Sequence, residues 1–321
     1  MSHILVTGGA GFIGSHLVER LLARGEQVSI VDSFDDFYDP AVKRRNVEAA
    51  VSQKGCRLYD CDIRDAGGLD TAFNREPVDV VVHLAARAGV RPSIKDPILY
   101  ADVNVIGTVR LLETARKYKC AKFVFASSSS VYGNNTKTPF HEDDRVDHPI
   151  SPYAATKKAG EEICYTYHRL HELSMTCLRF FTVFGPRCRP DLAVAKFTRL
   201  IDEGKPITMY GDGTMRRDFT YIGDIVDGVL KAIDKCGEYR IYNLGESRPI
   251  VLKNMIAAIA KAVGKEPIIE SEPQPPGDVD VTYADVSRAK AELGYEPATQ
   301  FEDGIEKYVA WYREQEVLSH E

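Results

Sequence analysis

Near its start the chain runs from the apolar stretch Ile4–Thr7 into Gly8-Gly9-Ala10-Gly11-Phe12-Ile13-Gly14 and then into a helical pattern, Ser15–Ala23. A strand that turns through spaced glycines and feeds a helix admits few architectures. Glycine takes positive φ at little steric cost and lets a ligand approach the backbone closely. The helix start beyond it carries unpaired N–H groups and the positive end of the helix dipole, which together attract a pyrophosphate. The next strand, Gln27–Asp32, ends in an acid that can accept hydrogen bonds from both hydroxyls of an adenosine ribose. Asp32 would repel a 2′-phosphate, and Ser33 rather than an arginine follows it. The expected cofactor is therefore NAD rather than NADP, held by Gly8, Gly11, Phe12, Ile13, Gly14 and Asp32.

Downstream, short β-branched or aromatic runs at Arg57–Cys61, Val78–His83, Lys122–Ser127 and Thr176–Phe181 read as further strands. Helical patterns fall at 13–24, 66–75, 98–118 and 154–172. This alternation predicts an α/β fold: a Rossmann-type, doubly wound parallel sheet with helices on both faces. After about residue 180, Gly and Pro punctuate the chain heavily, as in Gly185-Pro186, Arg189-Pro190, Gly211-Asp212-Gly213 and Pro275-Pro276-Gly277. The expected division is a dinucleotide-binding domain over 1–180 and a smaller C-terminal α/β lobe over 181–321, mainly for substrate, with segments free to return to the first domain. Residues 301–317 read as a terminal amphipathic helix with Ile305, Tyr308, Val309 and Tyr312 on one face.

Composition narrows the function classes. The 321 residues are 44% hydrophobic and 27% charged, enough for a sizeable core, and no apolar run is long enough to span a bilayer. No membrane association and a cytoplasmic location are expected. Net charge is −6 with both signs mixed along the chain, so no nucleic-acid partner is expected. The seven cysteines form no C-x-x-C pair or zinc-ligand spacing, and His168 and His171 lack an H-E-x-x-H context. No metal is expected.

Tyr153-Ala154-Ala155-Thr156-Lys157 places a phenol and an ammonium one helical turn apart on the same face. A free tyrosine titrates near about 10, so a neighbouring cation is needed to make it a base at neutral pH. The preceding strand ends in Ser127-Ser128-Ser129-Ser130-Val131-Tyr132-Gly133. With the G-x-x-G-x-x-G turn, Y-x-x-x-K and this serine run, the chain resembles the extended short-chain dehydrogenase/reductase family, and within it the nucleotide-sugar epimerases. The resemblance implies that Ser128, Tyr153 and Lys157 are catalytic and that Tyr153 and Lys157 also touch the cofactor. It further implies that Asp62 and Ile63 lie near the adenine, and that Leu84, Ala85 and Ala86 form the loop beside the cofactor after the fourth strand. Related dehydratases carry an acidic pair at the positions of Ser129 and Ser130, and related decarboxylases a Glu at the position of Ser130. Hydroxyls stand at both places here, which leaves oxidation and re-reduction: epimerisation, or a plain dehydrogenase.

Arg179-Phe180-Phe181-Thr182-Val183-Phe184-Gly185-Pro186 followed by Arg189-Pro190-Asp191 resembles the corresponding stretch of UDP-glucuronate 4-epimerases, as do Asp35–Pro40 with Lys43-Arg44-Arg45 and His83–Ser93. The resemblance spans nearly the whole chain. It implies epimerisation at C4 of UDP-glucuronic acid to UDP-galacturonic acid through a 4-keto intermediate, with NAD tightly bound and regenerated each turnover. Ser129, Ser130, Thr182 and Arg189 would hold the sugar carboxylate, and Thr208, Tyr210, Arg217 and Asp278 the UDP. One departure is Arg87, where the uronate group would have Gln. The family also implies a homodimer, with the helices near 98–118 and 154–172 bundled between subunits. The alternatives are a UDP-glucose or UDP-N-acetylglucosamine 4-epimerase, distinguished by indifference to a charged C6, and a non-catalytic NAD-binding regulator.

Overall fold

The computed structural model describes residues 2–273 and 281–320. The first part alternates β1 (His3–Thr7), α1 (Phe12–Ala23), β2 (Gln27–Asp32), α2 (Pro40–Val51), β3 (Cys56–Asp60), α3 (Ala66–Asn74) and β4 (Val80–His83). A broken helical run follows: α4 (Val90–Lys95), α5 (Pro97–Ala101), a π-helical stretch Asp102–Ile106 and α6 (Gly107–Lys117). Then come β5 (Lys122–Ser128), a 3₁₀ turn Ser129–Tyr132, α7 (Pro152–His171) and β6 (Ser174–Phe180). The remainder comprises β7 (Thr182–Phe184), α8 (Ala193–Asp202), β8 (Ile207–Tyr210), β9 (Arg216–Tyr221), α9 (Ile222–Lys235), β10 (Arg240–Leu244), β11 (Pro249–Val251), α10 (Leu252–Val263), β12 (Ile269–Glu272), β13 (Val281–Thr282), α11 (Ser287–Leu293) and α12 (Phe301–His320).

Seven strands form one parallel sheet in the order β10-β6-β5-β4-β1-β2-β3. The two-residue period of each strand divides the core into two halves. Val80 and Val82 of β4 join Leu17, Leu21, Val47 and Val229 of α1, α2 and α9, while Val81 joins Phe73, Leu111 and Cys164 of α3, α6 and α7. This is the expected Rossmann-type sheet, wound on both faces. Segments beyond residue 180 contribute to it: α9 covers one face and β10 supplies the edge strand beside β6. The other late strands build small sheets, with β9 between β11, β13 and β7, and β8 beside β12.

The strand expectations fall within two residues of the observed limits, but two helical features differ. The sequence reading assigned no helix between β2 and β3, where α2 lies. Lys43-Arg44-Arg45-Asn46 dilutes the apolar period, and Val47 and Ala50 are its buried apolar side chains. Its signature was at the start, where the Asp39 carboxylate accepts from the Ala41 N–H and Pro40 opens the helix. The single helix expected at 98–118 runs from 97 to 117 but carries a π-helical stretch within it, where Asn104 turns its side chain onto the Arg87 backbone and the Thr156 hydroxyl.

Helix α7 lies flat against β5 because Gly160 has no side chain: a Cβ there would stand 2.3 Å from the Phe125 ring. Gly160→Ala is expected to cost about 1–3 kcal/mol through overpacking. Gly237→Ala, where the nearest atom to a new Cβ is 3.9 Å away, is expected to stay within about 0.5 kcal/mol of wild type. Urea unfolding midpoints of the two variants check the contrast, and equal shifts would contradict it.

Candidate active site

The strand order reverses between β1 and β4, so the loops beyond their C-terminal ends part and leave a crevice. A cleft of about 940 Å³ occupies it, walled by the loops after β1, β2, β4 and β5, the start of α7, and Thr182, Arg189 and Arg217 from the later part of the chain.

One wall is the glycine turn. Gly8 has φ +68°, and a Cβ on it would lie 2.7 Å from the Ala85 nitrogen; one on Gly14 would lie 2.1 Å from the Gly8 carbonyl oxygen. Side chains are thus excluded where α1 begins, and backbone N–H groups face the cleft. Asp32 is nearly buried, its carboxylate accepting from the Ala10 N–H at 3.0 Å and the Phe34 N–H at 2.9 Å. Burial raises its titration against those two bonds. Gly8, Gly11, Phe12, Ile13, Gly14, Asp32, Asp62, Ile63, Leu84, Ala85 and Ala86 all line this cleft. Asp62 also holds Arg64 at 2.8 Å, which lowers its titration. The residues present fit a dinucleotide: a cradle that any side chain would fill, and a carboxylate at the far end of it.

The loop after β4 is fixed by a buried polar chain. The Ala85 N–H donates to the Thr7 hydroxyl, 3.2 Å, and that hydroxyl lies 2.7 Å from His83 Nδ1. His83 Nε2 meets the Thr108 hydroxyl at 3.0 Å, and Thr108 donates to the Asn104 carbonyl. This chain assigns a neutral imidazole protonated on Nε2, in keeping with burial, which pushes His83 down to about 3. Sequence reasoning gave His83 no role.

At the other end, Ser151 caps α7 and sets Tyr153 in its first turn. The Tyr153 phenol faces Ser128, which acts to lower its titration. The Ser128 oxygen accepts from the Ser130 N–H at 3.2 Å and the Ser130 hydroxyl at 3.0 Å, which leaves its own proton for the phenol side. Burial raises the Tyr153 titration, opposed by Ser128 and by the Arg189 guanidinium. The expectation that Lys157 would favour the phenolate directly needs correction. Lys157 Nζ is turned to the Ala126 carbonyl at 2.7 Å, and burial itself lowers the ammonium to about 8. Tyr100 packs edge-on to Tyr153 at 6.3 Å, a contact that nothing in the sequence pattern signalled.

Ser129, Ser130, Thr182 and Arg189 line the same end of the cleft. The Arg189 fork holds Asp191 with bonds of 3.0 and 2.8 Å, and its guanidinium stands 5.3 Å over the Phe37 ring. Arg87 stands 5.6 Å over the same ring. Its Nη1 lies 3.3 Å from Asp35 Oδ2 without hydrogen-bond alignment, and that carboxylate is already held by Lys43 at 2.6 Å. Arg217 on β9 also reaches the cleft. Thr208 and Tyr210 on β8 are not among its lining residues; the Tyr210 ring lies 4.8 Å beneath the guanidinium of Arg91, which is. Asp278 lies outside the described residues. Phe37 and Tyr38 line the cleft without having been assigned a role, although the aromatic pair after β2 was visible in the sequence. Among the described residues no cluster of His, Cys, Asp or Glu is arranged to hold a metal, and no helix is long and apolar enough to cross a membrane.

Comparison with known proteins gives the same picture. A family model described as NAD dependent epimerase/dehydratase family matches residues 4–245. A UDP-glucuronate 4-epimerase of Thermodesulfobacterium geofontis is 42% identical over 98% of this chain and 97% of that protein. The crystal structure of UDP-glucuronic acid 4-epimerase from Bacillus cereus in complex with UDP-glucuronic acid and NAD superposes with a TM-score of 0.91 at 36% identity, covering 98% of this chain and 99% of that one. The Thermus thermophilus UDP-glucose 4-epimerase complex with NAD gives 0.88 at 35% identity, covering 97% of this chain and 99% of that one. The chain belongs to the NAD-dependent epimerase/dehydratase family, the extended short-chain dehydrogenases.

Proposed function

We propose that this protein is an NAD-dependent isomerase that interconverts UDP-glucuronic acid and UDP-galacturonic acid by epimerisation at C4. The observation that carries the reading is the catalytic end of the cleft. There the Ser128–Tyr153 pair shares one wall with the hydroxyls of Ser129, Ser130 and Thr182 and with the Arg189 guanidinium, and no carboxylate stands at 129 or 130. Ser129, Thr182 and Arg189 are donors suited to a carboxylate, whose charge-assisted hydrogen bonds are roughly twice as strong as neutral ones, and Ser130 joins them by turning its proton away from Ser128. The names and bound ligands of the similar proteins support the same substrate and cofactor.

The glycine turn, Asp32 and the loop after β4 would hold NAD, which would supply the reversible hydride acceptor for C4. The chain supplies the rest. Tyr153 accepts the C4 hydroxyl proton and returns it, with Ser128 donating to the oxygen that carries the charge. Burial raises the free phenol's titration, so the positive charge of the bound oxidised cofactor is what makes it a base. Lys157, anchored on the Ala126 carbonyl, fixes the face of α7 on which Tyr153 stands. In this reading Arg217 of the cleft wall holds the UDP, Thr208 and Tyr210, on β8 beside Arg91, would meet it only where the uridine extends past that wall, and Asp278 keeps its role from the sequence; the 4-keto sugar then turns about its diphosphate link and is reduced on its other face. In this assignment residues 1–180 serve the dinucleotide, and 181–321 mainly the UDP-sugar, apart from α9 and β10. The expected setting is the cytoplasm. The expected assembly is a homodimer through the helices carrying Ile94, Ile98, Ile106, Tyr165 and Leu170, which are exposed apolar side chains in the monomer.

A glucose-type 4-epimerase is the second reading, favoured by one observation: the Arg189 charge is already matched by Asp191. Substrate preference separates the two. Proton NMR of UDP-glucuronate with the purified protein and no added NAD is expected to show UDP-galacturonate. Conversion of UDP-glucose with UDP-glucuronate untouched would establish the second reading instead. Tyr153→Phe is expected to lower kcat by about 10²–10⁴-fold, the usual share of a general base, with UDP-glucuronate binding retained by calorimetry. A 4-keto uronate is a β-keto acid and loses CO₂ when its carboxylate bond aligns with the carbonyl π system. Arg189→Ala is therefore expected to turn over more slowly and to release a larger fraction of decarboxylated pentose; a wild-type product ratio would reject that role.

A further inference from the structure

Tyr153, Lys157 and Glu161 recur every fourth residue of α7 and so face β5 together. Each meets one of three consecutive β5 residues. The Tyr153 phenol meets the Ser128 hydroxyl, Lys157 Nζ donates to the Ala126 carbonyl at 2.7 Å, and the Ser127 hydroxyl donates to Glu161 Oε1 at 2.6 Å. The third rung is the unexplained one. Glu161 is 0% exposed and takes no part in the chemistry described above.

Its carboxylate is gripped by Arg179, 1% exposed, through Nε–Oε1 and Nη2–Oε2 bonds of 2.8 Å each. Arg179 sits on β6 directly opposite Ser127 in the strand register. Its remaining nitrogen, Nη1, donates to the Tyr132 hydroxyl at 3.0 Å and the Glu142 carbonyl at 3.2 Å, and Tyr132 donates to Asn243 Oδ1 at 2.7 Å. Lys158 Nζ adds a longer contact of 3.6 Å to Glu161 Oε2. Tyr132 closes the 3₁₀ turn that carries Ser129 and Ser130. Two opposite charges taken wholly out of water gain little net stability over apolar residues of the same size. What they provide is direction. Every oxygen of Glu161 has an assigned donor, so α7, β5, β6 and the serine turn fit together in one register.

We infer that Glu161, locked by Arg179, is a positioning residue that sets Ser128 against Tyr153 through the Ser127 hydroxyl. The inference rests on the reading that Ser128 and Tyr153 carry the proton transfer. Misplacing a reacting group by about 1 Å can cost roughly a hundredfold in rate, and one lost hydrogen bond beside Ser128 loosens it by less than that.

Ser127→Ala is the decisive variant, because it removes one rung and leaves the Glu161–Arg179 pair intact. Its kcat for UDP-glucuronate is expected to fall about tenfold with KM and bound NAD unchanged, and Ser127→Thr, which keeps the hydroxyl, is expected to restore it. The Tyr153 phenol faces Ser128, Arg189 and the Tyr100 ring. With Ser128 shifted away and its lowering influence reduced, the phenol's titration followed by ¹³Cζ-tyrosine NMR should move to higher pH in Ser127→Ala and return in Ser127→Thr. That readout needs no substrate, so it stays informative even if wild-type protein leaves UDP-glucuronate unchanged, a result that would count against the proposed function alone. A Tyr153 titration and kcat identical to wild type in Ser127→Ala would overturn the inference. So would a kcat loss matched by lost NAD and a lower Tm with the titration unmoved.

Discussion

The close approach of the β1–α1 turn to the loop after β4 is the constraint on which the site depends. At Gly8 the backbone passes within van der Waals reach of Leu84 and Ala85, and at Gly14 the first turn of α1 closes over the Gly8 carbonyl. Contacts this tight keep side chains off positions 8 and 14 and aim the helix start into the crevice. The opposite side of that crevice is also rigid, because Thr7, His83, Thr108 and Asn104 pass hydrogen bonds from β1 through β4 to the π-helical stretch and onward to Arg87 and Thr156. Substrate-facing residues from beyond residue 180 are then laid over a floor that is already set.

Electrostatics explain how one cleft serves both a cationic cofactor ring and an anionic sugar. Without ligand, burial raises the Tyr153 titration and keeps the phenol protonated, while Lys157, lowered by burial to about 8, still carries its charge at neutral pH. Arg189 is matched by Asp191, and Lys43 and Arg87 share Asp35. The uncommitted charge of the wall is thus small and positive. In the proposed function, bound oxidised dinucleotide would make the phenol more acidic, and the Ser129 and Thr182 hydroxyls would give a carboxylate neutral donors beside the Arg189 pair. The Arg87 charge lies on the same Phe37 ring that Arg189 covers.

Much of this was legible in the sequence because the signals are local. The strand–glycine–helix unit, the acid at the end of β2 and the four-residue spacing of Tyr153 and Lys157 each depend on neighbours within one turn or strand. The parallel sheet followed from alternation alone. What escaped was what depends on distant partners. Helix α2 is held by two apolar side chains among polar ones, so its period was too weak to read. The π-helical stretch at Asn104 goes with a side chain reaching to residues 87 and 156. The direction of Lys157 was misjudged, since i, i+4 spacing places two side chains on a face but does not say that one of them will turn to the Ala126 carbonyl. Thr208 and Tyr210 carried the right motif yet stand on β8 outside the cleft wall, with Arg91 between Tyr210 and the cavity.

The central claim is that C4 is oxidised and re-reduced by a cofactor that never leaves. The most direct measurement is turnover of UDP-glucuronate deuterated at C4, in ordinary water, followed by mass spectrometry and NMR of the product. The account predicts that UDP-galacturonate keeps the deuterium at C4, because the hydride is returned by the cofactor that took it. Product carrying solvent hydrogen at C4 would contradict it and point to exchange of the C4 hydrogen as a proton.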